Sequence, residues 1–342
     1  MKRFASFVCT LVASLALLAF SLWAALALWF RVPFDDPLRL LCAAVFFCLG
    51  AVVSIRPFKR LPRLLTTAFG LVSATVLIWW LSLVPPSTGD WAADVARQTT
   101  GRLEGDTLIL TDQRDFNWRS DTDFDARWIE KTYDLNSLIS TDLFLSYWGN
   151  PAIAHLIVSF GFENGEYLAW SVEVRREKDS GFSPVADAFK EHTLSILAAT
   201  ETDVVGVRTN IRKEDVQLYR LRFDKETARA LLLKYVEDAN ALSQSPRWYN
   251  SITTNCTTVV FHMMRAIGKG QPFDWRIIAN GYLPEYGYER GSVFNAIPLA
   301  DLRERSKISE KGQQAGLNAL FSEKIREDVP VQSSANGRAP EQ

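Results

Sequence analysis

The sequence predicts an α+β protein in which three N-terminal transmembrane helices precede an extracytoplasmic domain built from an antiparallel sheet and helices. Nearly all long apolar runs with little charge lie before Pro85. The more polar remainder contains two strand-like runs around an Asn-Gly turn, followed later by an amphipathic helix. At 342 residues, the chain has room for a membrane region and one further domain.

Three apolar runs, at about residues 4–30, 38–56 and 64–84, predict the transmembrane helices. A helix needs about 20 apolar residues to cross a bilayer. A cleaved signal peptide is the alternative for the first run, because Lys2 and Arg3 give it a basic start. The run extends well beyond the ~7–15 apolar residues of a signal peptide, however, and two more runs follow it. We therefore assign residues 1–85 to a membrane region of three helices.

The positions of Lys and Arg predict how these helices are oriented. Lys2 and Arg3 precede the first run. The loop between the second and third runs carries four basic residues and no acidic one, namely Arg56, Lys59, Arg60 and Arg63. Since cytoplasmic loops are enriched in Lys and Arg, we expect a cytoplasmic N-terminus. Everything from Pro86 onward is then expected in the periplasm, on the outer side of a bacterial inner membrane.

The charge balance argues against a nucleic-acid partner. Residues 1–85 hold 8 of the 38 Lys and Arg and 2 of the 39 Asp and Glu, so the remainder has a net charge of −7. A phosphate-binding surface requires a basic excess or stripe, and neither is visible. The partner that this composition predicts is the inner membrane.

Beyond the membrane region, composition predicts three segments. Residues 86–113 are expected to form a linker and lead-in, residues 114–303 the periplasmic domain, and residues 304–342 a polar helix near 309–326 with a disordered tail from Pro330. Within the domain, strands are expected at 203–209 and 215–222. The segment 224–242 predicts an amphipathic helix capped by Asp224.

The runs 152–162 and 166–176 predict a β-hairpin, and its loop decides which residues face each other. A two-residue Asn164-Gly165 turn places His155 opposite Val174. A three-residue loop that starts at Glu163 places His155 opposite Glu173 instead. In that second register the carboxylate can orient the imidazole and favour its charged form. The alternative for Glu173 is an exposed salt bridge with a neighbouring Arg.

Cys256 is the candidate nucleophile. It is the only Cys outside the predicted membrane helices, which contain Cys9, Cys42 and Cys48. An isolated thiol in an oxidising compartment suggests a use, although an inert buried thiol is the alternative. Cys256 also follows capping residues at the predicted start of a helix, where N–H groups and the helix dipole stabilise a thiolate.

A thiolate needs a proton acceptor, and the chain contains three His residues. His262 is six residues beyond Cys256 on the same helix and should face away from it. His192 lies in a loop or at a strand end. His155 sits in an apolar strand, where a polar side chain requires an explanation, although a structural hydrogen bond would supply one. In the register of the three-residue loop, the sequence would give a triad of Cys256, His155 and Glu173.

Four segments together resemble the Lnb N-terminal periplasmic domain family. They are "RDFNW", "YDLNSLISTDLFLSYWGNPAIAHLIVSFGFENGEYLAWSVEVRRE", "VRTNIRKEDVQLYRL" and "PRWYNSITTNCTT". The resemblance runs from about Arg114 to about Tyr288. It implies a permuted papain-like fold, with the His ahead of the Cys in the chain. The family's namesake is a lipoprotein N-acyltransferase that uses a Cys and a His, which match Cys256 and His155 here.

The resemblance implies a membrane-anchored thiol acyltransferase or hydrolase that forms an acyl-enzyme on Cys256. Its expected partner is a membrane lipid or lipoprotein substrate. A cell-wall peptidase or amidase and a non-enzymatic membrane assembly protein remain alternatives. Four residues of the matching segments are candidates for supporting or substrate-binding roles: Ser171, Tyr249, Asn255 and Thr257. Five aromatic residues could line an acyl groove, and ordinary core and loop packing is the alternative for them: Trp275, Tyr282, Tyr286, Tyr288 and Phe294. One Cys and three scattered His lack metal-ligand spacing, so we expect no metal and no cofactor.

Overall fold

The computed structural model describes residues 1–55 and 62–331, without the side chain of Lys2. Three basic residues of the predicted second loop, Arg56, Lys59 and Arg60, lie outside the described residues, as does most of the predicted tail. The chain divides into two compact units. One comprises Met1–Pro86 with Ser183–Glu191, and the other comprises Ser87–Phe182 with His192–Gln342.

The three predicted membrane helices are confirmed as α1 (Lys2–Arg31), α2 (Asp36–Ser54) and α3 (Arg63–Ser82). Each is long and apolar enough to cross a membrane. Small residues allow α1 and α2 to approach closely. Gly50 has no side chain, and a Cβ at this position would lie only 2.0 Å from Ser21 Oγ. The rings of Phe46 and Phe69 pack between α2 and α3, 5.3 Å apart.

The same unit contains the short helix α4 (Pro184–Ala188) and the residues after it. The ring of Phe189 stacks on Phe30 at 5.5 Å and packs against the edge of Trp80 at 6.1 Å. Lys190 Nζ donates to the carbonyl oxygen of Trp80 at 2.7 Å. This segment is therefore tied to the C-terminal ends of α1 and α3.

The second unit is built on an eight-stranded sheet. The strands within the described residues of this unit are β1 (Thr100–Glu104), β2 (Thr107–Arg114), β3 (Asn117–Trp118), β4 (Phe124–Asp125), β5 (Trp128–Asp134), β6 (Leu138–Tyr147), β7 (His155–Phe162), β8 (Tyr167–Arg175), β9 (Thr193–Ala199) and β10 (Asp215–Arg220). The order in the large sheet is β1-β2-β9-β8-β7-β6-β10, with β5 also paired to β2, while β3 and β4 form a separate pair. All neighbours in the large sheet are antiparallel except β2 and β9.

Helices cover both faces of this sheet. They are α5 (Glu201–Val204), α6 (Lys225–Gln244), α7 (Cys256–Ala266), α8 (Leu283–Glu289), α9 (Leu299–Ser306), α10 (Ser309–Ala315) and α11 (Phe321–Lys324). Because side chains alternate along a strand, Leu156 and Val158 of β7 join the core beneath α6 and α7, whereas Ile157 joins the core with Phe321. The described part of the chain therefore has the predicted α+β architecture.

The hairpin of β7 and β8 adopts the register of the three-residue loop. Ile157 pairs with Ser171, and the pairing continues to Gly161 with Tyr167, so His155 lies opposite Glu173. Gly165 takes φ +81°, which favours glycine. The two-residue turn, with Val174 opposite His155, does not form.

Three segments differ from the sequence-based expectation. The predicted strand at 203–209 is instead α5 followed by a π-helical turn, Val207–Ile211, because Asp203 is drawn into a buried ion pair with Arg114. The expected linker 86–113 contributes β1 and most of β2 to the sheet. The single helix near 309–326 is broken by Gly316 at φ +70°, and both of its parts pack on the sheet. Local strand or helix propensity did not reveal these long-range contacts.

Candidate active site

Cys256 is the first residue of α7, and Asn255 caps the N-terminus of this helix. Asn255 Oδ1 accepts hydrogen bonds from the backbone N–H groups of Thr257 and Thr258, both at 3.0 Å. The Thr258 hydroxyl in turn accepts from the Asn255 N–H at 2.9 Å, which completes a capping box. The cap fixes Cys256 at the positive end of the helix dipole. Only 7% of Cys256 remains exposed.

The imidazole of His155 meets this thiol. The two side chains are close enough that each shifts the pKa of the other, although they are a hundred residues apart in sequence. On the other side of the ring, Nε2 lies 2.7 Å from Ser171 Oγ and 3.2 Å from Glu173 Oε1. The hydroxyl of Ser171 donates to Glu173 at 2.7 Å, so Nε2–H is the donor to Ser171. Nδ1 is therefore the ring nitrogen that remains for the sulfur.

Electrostatics favour charge separation within this group. Burial disfavours the charged forms, but His155 outweighs it at Cys256 and lowers the pKa of the thiol. Burial and Arg208 oppose protonation of the imidazole, yet Glu173 and Cys256 raise the pKa of His155. Despite burial, His155 and Arg208 hold the pKa of Glu173 well below its usual range. The arrangement therefore stabilises a thiolate beside an imidazolium.

Arg208 anchors the carboxylate end of the group. It lies on the π-helical turn, and Nη2 is 3.5 Å from Glu173 Oε1. Nη1 lies 3.3 Å from Glu214, which also accepts a hydrogen bond from Ser146. Because the guanidinium is positive, it stabilises ionised Glu173 and at the same time opposes protonation of His155. Arg208 thus limits how far the pKa of the imidazole rises.

Asn280 joins the strand of His155 to the helix of Cys256. Its Oδ1 accepts from the backbone N–H of Ala154 at 2.8 Å, and its Nδ2 donates to the carbonyl of the same residue at 2.6 Å. Nδ2 also lies 2.7 Å from Thr257 Oγ1 and 3.8 Å from the sulfur of Cys256. Only 5% of Asn280 is exposed.

An apolar pocket of about 160 Å³ begins beside the site. Its lining includes Leu156 and Thr257, which follow His155 and Cys256 in the sequence. Most of the remaining lining is aliphatic or aromatic, including Val158, Leu231, Val260, Phe261, Met264 and Tyr286. The pocket is similar in size to cavities that bind benzene.

The structure brings most of the predicted site residues together. Ser171 links His155 to Glu173, Thr257 lies against Cys256, and Asn255 caps the helix. Tyr249 lies in the core under the sheet. His262 is exposed, as its helical spacing predicts.

The predicted aromatic groove differs from the pocket that the structure shows. Of its five members only Tyr286 lines the pocket. Trp275 is 60% exposed, and Tyr288 and Phe294 pack against the main core. Spacing could not reveal this, because the segment has no regular periodicity and follows the shape of its neighbours.

Neither Asn280 nor Arg208 was predicted as a site residue. Asn280 lies in an irregular stretch, and Arg208 lies where a strand was expected. The sequence signal near Asn280 is the glycine that follows it. The structure shows why a glycine is needed there, because a Cβ on Gly281 would lie 2.0 Å from the Pro151 carbonyl oxygen. Within residues 1–55 and 62–331, no group of three or more His, Cys, Asp or Glu is placed to hold a metal ion.

Comparison with known protein families gives a match. Residues 124–281 match the family described as the Lnb N-terminal periplasmic domain, a range that includes His155, Glu173, Cys256 and Asn280. No curated protein and no solved structure matches the chain.

Proposed function

Residues 124–281 form an Lnb N-terminal periplasmic domain in a membrane-anchored protein, and from that premise we propose a thiol-dependent acyltransferase or hydrolase. Its substrates would be the acyl groups of membrane lipids or lipoproteins. One observation carries the proposal: Cys256, His155 and Glu173 come together, and the residues that follow Cys256 and His155 in the sequence line an apolar pocket.

In the first step, the thiolate of Cys256 attacks the carbonyl carbon of an acyl ester and forms a C–S bond. The C–O bond to the alcohol breaks, and the imidazolium of His155 gives its proton to the departing oxygen. The product is a thioester on Cys256. Glu173 stays ionised throughout and holds the ring, partly through Ser171.

In the second step, an amine or a water molecule attacks the thioester. His155 takes the proton of the attacking group, and the Cys256 thiolate leaves. An amine gives an N-acylated product and water gives a free fatty acid, so the same group of residues serves transfer and hydrolysis.

The start of α7 offers a donor for the oxyanion. The N–H groups of Thr257 and Thr258 are occupied by Asn255. The first-turn donor that remains is the N–H of Cys256, for which the described residues show no acceptor. It lies at the positive end of the helix dipole, where a developing negative charge is stabilised.

The pocket favours an acyl substrate over a peptide. Its lining near Leu156 and Thr257 is almost wholly apolar, whereas a peptide cleft requires polar groups for the peptide backbone. A cavity of about 160 Å³ suits the part of an acyl chain nearest the carbonyl. The three membrane helices also keep the domain at a bilayer, which raises its effective concentration toward lipid substrates.

The test is mass spectrometry of the full-length protein after incubation with phospholipid vesicles. The wild type should gain an acyl mass on the Cys256 peptide, removable by hydroxylamine. Cys256→Ala should gain none, and Cys48→Ala, a matched loss of a thiol within α2, should behave as the wild type. Acylation of Cys256→Ala, or of neither protein, would contradict the proposed acyl-enzyme.

A further inference from the structure

The side chain of Asn280 lies between the neighbours of the two reactive residues, and the proposed reaction assigns it no role. Ala154 directly precedes His155, and Thr257 directly follows Cys256. The amide of Asn280 hydrogen-bonds both of these neighbours, with distances of 2.6 to 2.8 Å. One buried side chain therefore spans the gap between β7 and the start of α7.

The chain around Asn280 is fixed by backbone contacts. Gly281 N–H donates to the carbonyl of Ala152 at 3.0 Å, and the Gly281 carbonyl accepts from Tyr147 at 2.9 Å. The approach to Pro151 is so close that a Cβ at Gly281 has no room. Asn280 is thus held rigidly against the residues that lead into β7.

The hydroxyl of Thr257 links Asn280 to the sulfur. Thr257 Oγ1 accepts the hydrogen bond from Asn280 Nδ2, so its own proton is available for another acceptor. The sulfur of Cys256 lies 4.0 Å from this oxygen and 3.8 Å from Asn280 Nδ2. Both N–H groups of Asn280 are used by Ala154 and Thr257, so the Thr257 hydroxyl is the donor available to a thiolate.

We infer that Asn280 is a positioning residue that sets the separation of Cys256 and His155 and orients the Thr257 hydroxyl toward the sulfur. The inference deepens the proposed function and rests on Cys256 being its nucleophile. It concerns the thiolate itself, however, so it can be tested without any lipid substrate.

The experiment measures the rate of Cys256 alkylation by iodoacetamide against pH in the full-length protein. The Cys256 peptide is quantified by mass spectrometry, so the thiols of the membrane helices do not interfere. For Asn280→Ala we expect the midpoint to move upward by about one pH unit, the scale of one charge-assisted hydrogen bond. The alkylation rate near neutral pH then falls about tenfold.

A second asparagine serves as a matched control for the loss of the Asn280 amide. Asn240 holds the backbone of Gly101 in the same way, accepting from its N–H at 2.9 Å and donating to its carbonyl at 2.7 Å. Asn240→Ala should lower the melting temperature without moving the alkylation midpoint. An equal shift in both variants, or none in Asn280→Ala, would overturn the inference.

Two further variants keep the test decisive if Asn280→Ala does not fold. Asn280→Asp keeps the acceptor for Ala154 but loses the donors, and it adds a negative charge near the sulfur, so the midpoint should rise further. Thr257→Val keeps the shape but removes the hydroxyl, and it should also raise the midpoint, whereas Thr257→Ser should restore it. A wild-type midpoint in both Asn280→Asp and Thr257→Val would refute the positioning role.

Discussion

His155 lies opposite Glu173 in the antiparallel pairing of β7 with β8, and the imidazole Nε2 is 3.2 Å from the carboxylate. The pairing leaves the other ring nitrogen for the thiol of Cys256. A shift by one residue would put Val174 at this position and leave the imidazole without its anion. The geometry of the hairpin loop at Gly165 therefore determines the composition of the site.

Replacing His155 by Ala should reduce ester hydrolysis by about 10²- to 10⁴-fold, the range of a lost general acid and base. The measurement is the turnover of p-nitrophenyl butyrate by the purified protein. His262→Ala is the matched control, since His262 is exposed on α7. Equal activities of the two variants would exclude His155 as the proton carrier.

The alkaline limit of activity should move in opposite directions in two variants. Catalysis needs protonated His155. Burial and Arg208 lower the pKa of this imidazole, but Glu173 and Cys256 raise it by more, so the net shift is upward. Glu173→Gln removes the stabilising anion, so the alkaline limit should fall. Arg208→Gln removes an opposing cation, so the limit should rise.

The measurement is kcat/KM for p-nitrophenyl butyrate across pH, in which the limits belong to the Cys256–His155 pair. Gln keeps the approximate size of both side chains, so charge is the main change. Movement of both variants in the same direction would show that packing, rather than charge, governs the imidazole.

Gly281→Ala tests the close approach beside Asn280. The added Cβ would lie 2.0 Å from the Pro151 carbonyl oxygen, and we expect the domain to lose about 1–3 kcal/mol of unfolding free energy. Gly181→Ala is the control, because its Cβ would meet nothing within 4 Å. Thermal unfolding of both variants gives the comparison, and equal melting temperatures would refute the predicted clash.

Local patterns in the sequence were sufficient for much of this molecule. Uncharged runs predicted α1 to α3, capping residues predicted the start of α7, and the loop of the β7–β8 hairpin offered the correct register as one of two choices. Each of these signals depends on residues close together in the chain.

Contacts between distant residues were not predictable in the same way. The segment at 203–209 has strand-like composition but becomes helical because Asp203 pairs with Arg114 from β2. The π-helical turn after it places Arg208 beside Glu173. Asn280 reaches Ala154 across 126 residues. Such partners are set by the packed fold, and neither propensity nor periodicity reports them.

The orientation in the membrane can be tested with fluorescent-protein fusions. We propose a cytoplasmic N-terminus, from the basic residues at the start of α1 and before α3. Green fluorescent protein exported by the general secretory route does not become fluorescent in the periplasm. A fusion before Met1 should therefore fluoresce, and a fusion after Gln342 should not. The reverse pattern would place the domain in the cytoplasm and contradict the proposed orientation.

Filling the apolar pocket should change which acyl chains the protein accepts. Val260 lies on α7 and lines the pocket, and Val260→Phe adds a bulky ring to a space of about 160 Å³. With p-nitrophenyl esters of increasing length, the variant should lose activity on octanoate and longer chains but keep it on acetate. The reason is steric, because only the longer chains need the space that the ring occupies.

The rate of Cys256 alkylation serves as the control for Val260→Phe. The substitution leaves Asn255, Thr257 and His155 unchanged, so the thiol should react with iodoacetamide as in the wild type. A uniform loss of activity across all chain lengths would indicate a disturbed helix start. Unchanged activity on long chains would show that the acyl group lies elsewhere, and it would remove the main argument for a lipid substrate.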